Sequence, residues 1–448
     1  MATQRQVPSP PHPEYAHGRQ IAQRIFMQTM GAINVHRVMR RKIQFADGIL
    51  TVDGRPIAIT RSPRIVAFGK AAMRMARVMD EILGSQIEQG VVVAPVTSLR
   101  KLDRFRQFEG GHPYPAQGSL DGATAAIEMV SGLTPDDLVI FLVSGGGSSV
   151  FEKPLDPSIT LPDLVEFNRP LVTGNLRIEE INTLRKHISA VKGGRLAVAA
   201  SPARQLTIFI SDVPETLPSM VASGPTMPDE STRAECYALA EQQGLVAKFP
   251  KRIRKHFEEK TLEETPKPGD PVFAGSMNFC LLSNRDAVDA AQAAAADSGF
   301  VAEIYSGIWD ADYRAVADAT LTALESCAQA HPGQPICLLL GGEVTCPVTG
   351  SGLGGRNLSF ALYAAQKIEG SRRVALSAAT DGRDGNSPSS GAVADGRTEL
   401  RARALGLDSS RYLSRSDAYH FFRTLGDTIE TGFTENNVRD LRLLMSFE

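Results

Sequence analysis

No apolar run in this 448-residue chain approaches the ~18 residues that a membrane-spanning helix needs. An excess of one charge is also missing. The 48 lysines and arginines stand against 50 acids, which excludes the basic field expected for nucleic acid or an anionic membrane surface. Cysteine is scarce and unpatterned: five residues, at 236, 280, 327, 337 and 346, none in a Cys-x-x-Cys spacing. An odd set without metal-ligand spacing argues against a disulfide framework or a structural zinc site and fits reduced thiols in a cytoplasmic protein. The opening MATQRQVPSPPHPEY lacks the apolar core of a signal peptide and reads as a tail.

What is present is an alternation of short apolar strands and helices, the pattern of α/β architecture with a mostly parallel sheet. A helix is expected within 19–40. RIVAF (64–68) precedes a helix at 70–83, VVVA (91–94) follows, and Ser119 is a plausible N-cap for the next helix. LVIFLV (138–143) reads as a buried strand, followed by a helix within 161–173. Ile178, Ile181, Leu184, Ile188 and Val191 form one apolar stripe over 178–191, and LTIFI (206–210) is a further strand. The charged, proline-containing stretch 250–272 reads as a linker with a solvated charge run. A second α/β unit then opens with FCLLS (279–283) and continues through VAEIY (301–305), ICLLL (336–340) and VALSA (374–378). The chain is too long for one ordinary core, and two domains, 1–265 and 266–448, are expected.

In open α/β sheets ligands bind beyond the carboxyl ends of the strands, and these exits collect glycine, acid and base. RIVAF runs into Gly69-Lys70-Ala71, and residues 105–109 into Gly110-Gly111-His112-Pro113. LVIFLV runs into Ser144, the triple glycine Gly145-Gly146-Gly147, and Ser148. Three glycines remove every Cβ and let main-chain N–H groups turn toward an anion; without a Gly-Lys-Ser/Thr ending the loop is not a Walker A motif. A tight strand-to-helix turn explains the glycines equally when they are taken alone. LTIFI is followed by Ser211-Asp212-Val213-Pro214, ICLLL by Gly341-Gly342-Glu343, and VALSA by a run containing Asp381 and Asp384. Lys70, just before a helix, is placed to reach a phosphate. Arg185, Lys192 and Arg195 fall near one side of the 178–191 helix, where a solvated face explains them as well. His187 reads as a packed or capping residue and His112 as the better candidate of the two, with a turn role explaining it equally. Asp212, Glu343, Asp381 and Asp384 offer hard carboxylate oxygens suited to Mg²⁺, or simply Asx turns. GSGLGGRN (350–357) matches a dinucleotide fingerprint formally, although Pro347 interrupts the strand it should leave; the alternative is that Arg356 clamps a phosphoryl group at a helix start.

With VAFGKAA (66–72), GGHPYP (110–115), LVSGGGSS (142–149), NTLRKHISAVKGGRLA (182–197), ISDVP and ASGPT (210–226), GGEVT (341–345), GLGGRN (352–357), ATDGRDG (379–385) and NNVRDLR (436–442), the chain resembles the class II glycerate 2-kinase family, whose C-terminal half is called the MOFRL domain. The resemblance runs from about Ile21 to near Leu444. It implies two α/β domains, the first Rossmann-like, with the active site in the cleft between them. It implies ATP and Mg²⁺ or another divalent cation, and phosphorylation of the 2-hydroxyl of D-glycerate or a closely related small hydroxy acid. It further implies catalytic roles for Lys70, Arg356 and Asp212. Nucleotide contacts are implied from Ser144, Gly145, Gly146, Gly147, Ser148, Lys192, Glu343 and Asp381, and metal contacts from Asp381 and Asp384. Between Asp212 and Asp381 the choice of proton acceptor and metal ligand stays open. A hydroxypyruvate reductase using NAD(P)H and a non-catalytic phosphometabolite sensor are the alternatives. Oligomeric state is not readable from the sequence.

Overall fold

All six residues of the strand Leu138–Val143 are buried, so it has no solvent face and must be covered on both sides. The computed structural model describes residues 13–96, 101–174, 176–213, 217–308 and 310–447; most of the opening tail and residues 214–216, including Pro214 of the Ser-Asp-Val-Pro stretch, lie outside these. Leu138–Val143 belongs to a six-stranded sheet, parallel throughout. Its spatial order is Phe105–Glu109, Gln89–Ala94, Arg64–Phe68, Leu138–Val143, Arg204–Ile210 and Met277–Leu282. The chain starts this sheet at Arg64–Phe68, builds outward on one side, then returns to build outward on the other. The loops after Arg64–Phe68 and Leu138–Val143 therefore flank the topological switch point, where such sheets open a crevice.

Internal contacts divide the chain into Val35–Leu282 and a second unit of Met1–Asn34 with Ser283–Glu448. The expected boundary at 265 differs from this for two physical reasons. Met277–Leu282, read as the first strand of the second unit, pairs in parallel with Arg204–Ile210 and completes the first sheet. The helix Pro13–Ala32 sends Ile21, Ala22, Ile25 and Phe26 into the core of the second unit instead of the first. The charged stretch after 250 is not merely a linker either. It contains the helix Lys251–Glu258, whose Ile253 and Phe257 are buried, with Phe257 5.0 Å from Phe249 between ring centroids. The single helix expected within 19–40 is broken between Ala32 and Val35, and Val35–Lys42 forms its own helix. A small antiparallel sheet follows, Ile43–Ala46, Ile49–Val52 and Arg55–Ala58. Its two turns are Asp47-Gly48 and Asp53-Gly54, with φ positive at all four residues as two-residue hairpin loops require.

The second unit carries a mixed six-stranded sheet in the order Val301–Ile304, Ile336–Gly342, Asp440–Ser446, Arg373–Ala379, Gly391–Asp395 and Thr428–Ile429. Asp440–Ser446 runs antiparallel between two strands that share a direction, so its first residue meets both of their carboxyl ends: Asp440 is the register partner of Gly342 and of Ala379.

Candidate active site

Phe68 and Val143 are register partners in adjacent parallel strands, so the Gly69-Lys70-Ala71 and Ser144-Gly145-Gly146 loops leave the sheet side by side. They are joined by hydrogen bonds. Lys70 N–H donates to Gly145 O at 2.9 Å, and Ala71 N–H to Ser144 Oγ at 3.0 Å. At Gly69, with φ +113°, a Cβ would lie 2.3 Å from Ser144 O, so glycine is needed there for the close approach. Gly146, with φ +79°, is glycine for another reason. The nearest atoms to the place a side chain would occupy are Lys70 Cγ at 3.0 Å and His112 Cδ2 at 3.2 Å. A lysine, an imidazole and bare main chain thus bound one small space. Lys70 is half-buried, His112 is exposed, and Gly146 and Ser148 are the loop residues that keep partial exposure. The arrangement is chemically suited to a polyanion.

Lys192 does not belong to this group. Its ammonium is wholly buried in an ion pair with Glu152, whose other oxygen accepts from Ser189 Oγ at 2.6 Å. Burial pushes the Lys192 ammonium below the ordinary lysine range, against the pull of Glu152. Arg185 is buried as well, donating Nε to Asn168 Oδ1 at 2.7 Å. Neither forms a solvated face: the helix expected over 178–191 ends at Ile188, Arg185 lies on its buried side, and Lys192 sits in the turn beyond its end. His187 is fully buried, as expected of a packed residue, with Nδ1 2.8 Å from Thr183 O. Asp212 is half-buried beyond the end of Arg204–Ile210.

In the second unit the helix Arg356–Lys367 starts at the carboxyl edge of the mixed sheet. Its preceding residue, Gly355, has no side chain to cap it. Asp384 supplies the cap from a distant loop: Oδ1 accepts Asn357 N–H at 3.1 Å and Oδ2 accepts Leu358 N–H at 2.8 Å. A Cβ on Gly355 would stand 2.4 Å from that carboxylate. Burial raises the Asp384 pKa to about 6, against the pull of the two N–H donors. Asp384, expected as a metal contact, here serves as the cap of this helix, with each oxygen accepting a main-chain N–H.

Arg356, half-buried, is held from two sides. Nε donates to Asp440 Oδ2 at 2.6 Å and Nη2 to Asp440 Oδ1 at 3.0 Å, while Nη2 also reaches Glu343 Oε1 at 2.8 Å. Burial works against the charged guanidinium, but the two carboxylates more than compensate and hold it protonated. Arg442, fully buried, donates to Asp440 Oδ2 at 3.0 Å and to Gly342 O at 3.2 Å. Asp440, Arg442 and Asn357, whose N–H the Asp384 cap accepts, carried no role in the sequence reading. The available signal was the Asp-x-Arg spacing of 440 and 442, which puts both side chains on one face of a strand. Asp381 is half-buried and its Oδ1 accepts Arg383 N–H at 3.1 Å, an Asx turn. Among the described residues no group of three or more His, Cys, Asp or Glu is placed to hold a metal ion.

The Gly-x-Gly-x-x-Gly segment does not leave a strand. Side chains at Gly350 and Gly352 would strike Arg415 O at 2.4 Å and Asp417 Cβ at 2.4 Å, so these glycines serve close packing within the unit.

Residues 21–258 match the family described as "Domain of unknown function (DUF4147)", and residues 336–440 match the MOFRL family. The chain is 37% identical over 382 residues to a D-glycerate 2-kinase of Thermotoga maritima, covering 84% of this chain and 89% of that protein. A putative hydroxypyruvate reductase of Agrobacterium vitis is 34% identical, covering 93% of this chain and 96% of that one. The crystal structure of a glycerate kinase from Thermotoga maritima aligns with a TM-score of 0.81 at 32% identity, over 96% of this chain and 99% of that one.

Proposed function

The chain belongs to the class II glycerate kinase family, and from that premise we propose that it transfers the γ-phosphoryl group of ATP to the 2-hydroxyl of D-glycerate. The observation that carries the reading is the space around Gly146, bounded by Lys70, His112 and main chain without a side chain. Lys70 and His112 beside a glycine main chain are a donor set suited to a triphosphate tail.

Phosphoryl transfer depends on alignment and charge neutralisation more than on covalent help. In this reading the glycerate 2-hydroxyl oxygen bonds to the γ-phosphorus, the bond from that phosphorus to ADP breaks, and the hydroxyl proton goes to a carboxylate. Asp212 and Asp381 are the two candidates for that proton. Lys70 supplies an ammonium, and Gly145 and Gly146 let the main chain approach the phosphates. Arg356 supplies a guanidinium whose direction Asp440 and Glu343 already fix, so little reorganisation is left for the transition state. Mg²⁺ usually takes one or two carboxylates together with phosphate oxygens, so a cation arriving with the nucleotide needs no preformed cage. Asp381 is its proposed contact, since the Asp384 carboxylate caps the helix Arg356–Lys367.

Hydride transfer with NAD(P)H has less support. The only fingerprint-like glycines pack against residues 415 and 417 and follow no strand. The deciding experiment incubates the purified protein with ATP and D-glycerate, following ADP release and identifying 2-phosphoglycerate by phosphorus NMR. NAD(P)H oxidation with hydroxypyruvate, unaccompanied by ADP release in the first assay, overturns the reading.

A further inference from the structure

The hydroxyl of Ser148 has its proton direction set from behind. Ser223, fully buried, donates its single hydroxyl proton to Asn182 Oδ1 at 2.8 Å. Asn182, also buried, is oriented by its amide nitrogen, which lies 3.2 Å from Met220 Sδ, so its carbonyl faces Ser223. Ser148 Oγ stands 2.8 Å from Ser223 Oγ. Because the Ser223 proton is already committed, the bond between the two serines can only run from Ser148 to Ser223. The Ser148 proton is then directed to Ser223 and is donated nowhere else. What it turns toward the half-open side of the glycine loop is lone pairs.

The local backbone is built for this contact. Ala222 and Ser223 both have positive φ, +51° and +63°, unusual for residues other than glycine. Ala222 Cβ lies where a side chain on Gly147 would stand, 2.6 Å away, so the strained pair and the glycine loop fit against each other.

We propose that Asn182 and Ser223 are positioning residues that hold Ser148 as a hydrogen-bond acceptor, and that Ser148 accepts a hydrogen bond from a hydroxyl of the hydroxy acid and does not donate one to an oxygen of the phosphates. The inference rests on the kinase reading and deepens it: the glycine main chain and Lys70 serve the anion, while Ser148 serves an alcohol O–H. A ribose hydroxyl is the other source of that donor, and the test separates the two.

The experiment measures KM for D-glycerate and for ATP, with kcat, in the wild type, Ser148→Ala, Ser223→Ala and the double variant. Loss of one neutral hydrogen bond predicts a rise of about three- to tenfold in KM for D-glycerate in each single variant. KM for ATP and kcat should stay within about twofold, and the double variant should be no worse than Ser148→Ala alone, because the two serines act as one unit. Repeating the series with D-lactate, which lacks the 3-hydroxyl, tells which hydroxyl is held: the penalty disappears if it is the 3-hydroxyl and persists if it is the 2-hydroxyl. A rise confined to KM for ATP, abolished with 2′-deoxy-ATP, overturns the proposal in favour of the ribose. Unchanged constants in an active wild type overturn it outright. A wild type that releases no ADP with D-glycerate overturns the kinase reading and this inference together.

Discussion

Asp440 grips Arg356 through two parallel bonds, Nε to Oδ2 at 2.6 Å and Nη2 to Oδ1 at 3.0 Å, from a fully buried position at the start of the last strand. Burial alone would raise the Asp440 pKa, but the Arg356 and Arg442 guanidiniums outweigh it and hold the carboxyl below its usual range. One carboxylate thus serves two guanidiniums, and its removal leaves both short of charge. Asp440→Asn preserves the shape but not the charge. It should destabilise the protein by about 3 kcal/mol, the range seen when one partner of a buried ion pair is lost. Its kcat should fall about tenfold or more, since Arg356 is then held by Glu343 alone. Urea denaturation and steady-state kinetics on the same preparation check both. A full kcat in a destabilised protein would leave Asp440 a structural role only.

Arg356 itself should be more sensitive. If its guanidinium stabilises charge on the transferring group, Arg356→Ala should lower kcat by ~10²-fold or more with the fold retained. Arg356→Lys should recover little, because an ammonium cannot keep the fork to Asp440 and reach a phosphoryl group together. Circular dichroism beside the ADP-release assay separates loss of catalysis from loss of structure. A near-normal rate in Arg356→Ala removes the residue from the active site.

Asp384 gives a pH-dependence with a definite sign. Its pKa is about 6 in the folded protein, above the ordinary carboxyl value of 3.8 from which it is raised. A group raised in this way contributes stability that is fully present below its unfolded pKa and lost as pH rises through the folded one. Between pH 4 and pH 7 the stability of the wild type relative to Asp384→Asn should therefore decline, by roughly 2–3 kcal/mol. Chemical denaturation of both proteins at several pH values in that window measures it. A pH-independent difference would mean that Asp384 is ionised throughout.

Legibility in the sequence followed the range of the interaction that decided each point. Leu138–Val143 and the loop after it were readable because an apolar run and three glycines are signals within a dozen residues. The alternation of strands and helices gave the α/β class for the same reason. The Asp47-Gly48 and Asp53-Gly54 turns are equally local signals, but they went unread in the sequence, and the small antiparallel sheet entered only with the structure. Asp384 was not legible: that a carboxylate caps a helix 27 residues away is decided by tertiary structure, and in sequence it looks like any loop acid. Lys192 failed for a related reason. Its spacing from Arg185 suggests one helix side, but the helix stops at Ile188, and the burial of Lys192 is decided by Glu152, which is 40 residues away in the chain. The unit boundary moved because a strand's hydrophobicity does not say which sheet it joins.

Gly146 offers the most direct test of the anion seat, because the chain contains a matched control. Gly146 and Gly132 have similar positive φ, +79° and +73°, but a Cβ at Gly132 would meet nothing within 4 Å. Alanine at either position should cost about 1–2 kcal/mol for the left-handed conformation. Only at Gly146 does the new methyl also stand 3.0 Å from Lys70 Cγ and 3.2 Å from His112 Cδ2. Gly146→Ala should therefore raise KM for ATP or lower kcat by about tenfold or more, whereas Gly132→Ala should lose comparable stability and keep its kinetics. Thermal denaturation and ADP release on the pair measure both effects. Equal kinetics in the two variants would mean that the phosphates bind elsewhere, since a group seated between Lys70 and His112 cannot share that space with a methyl.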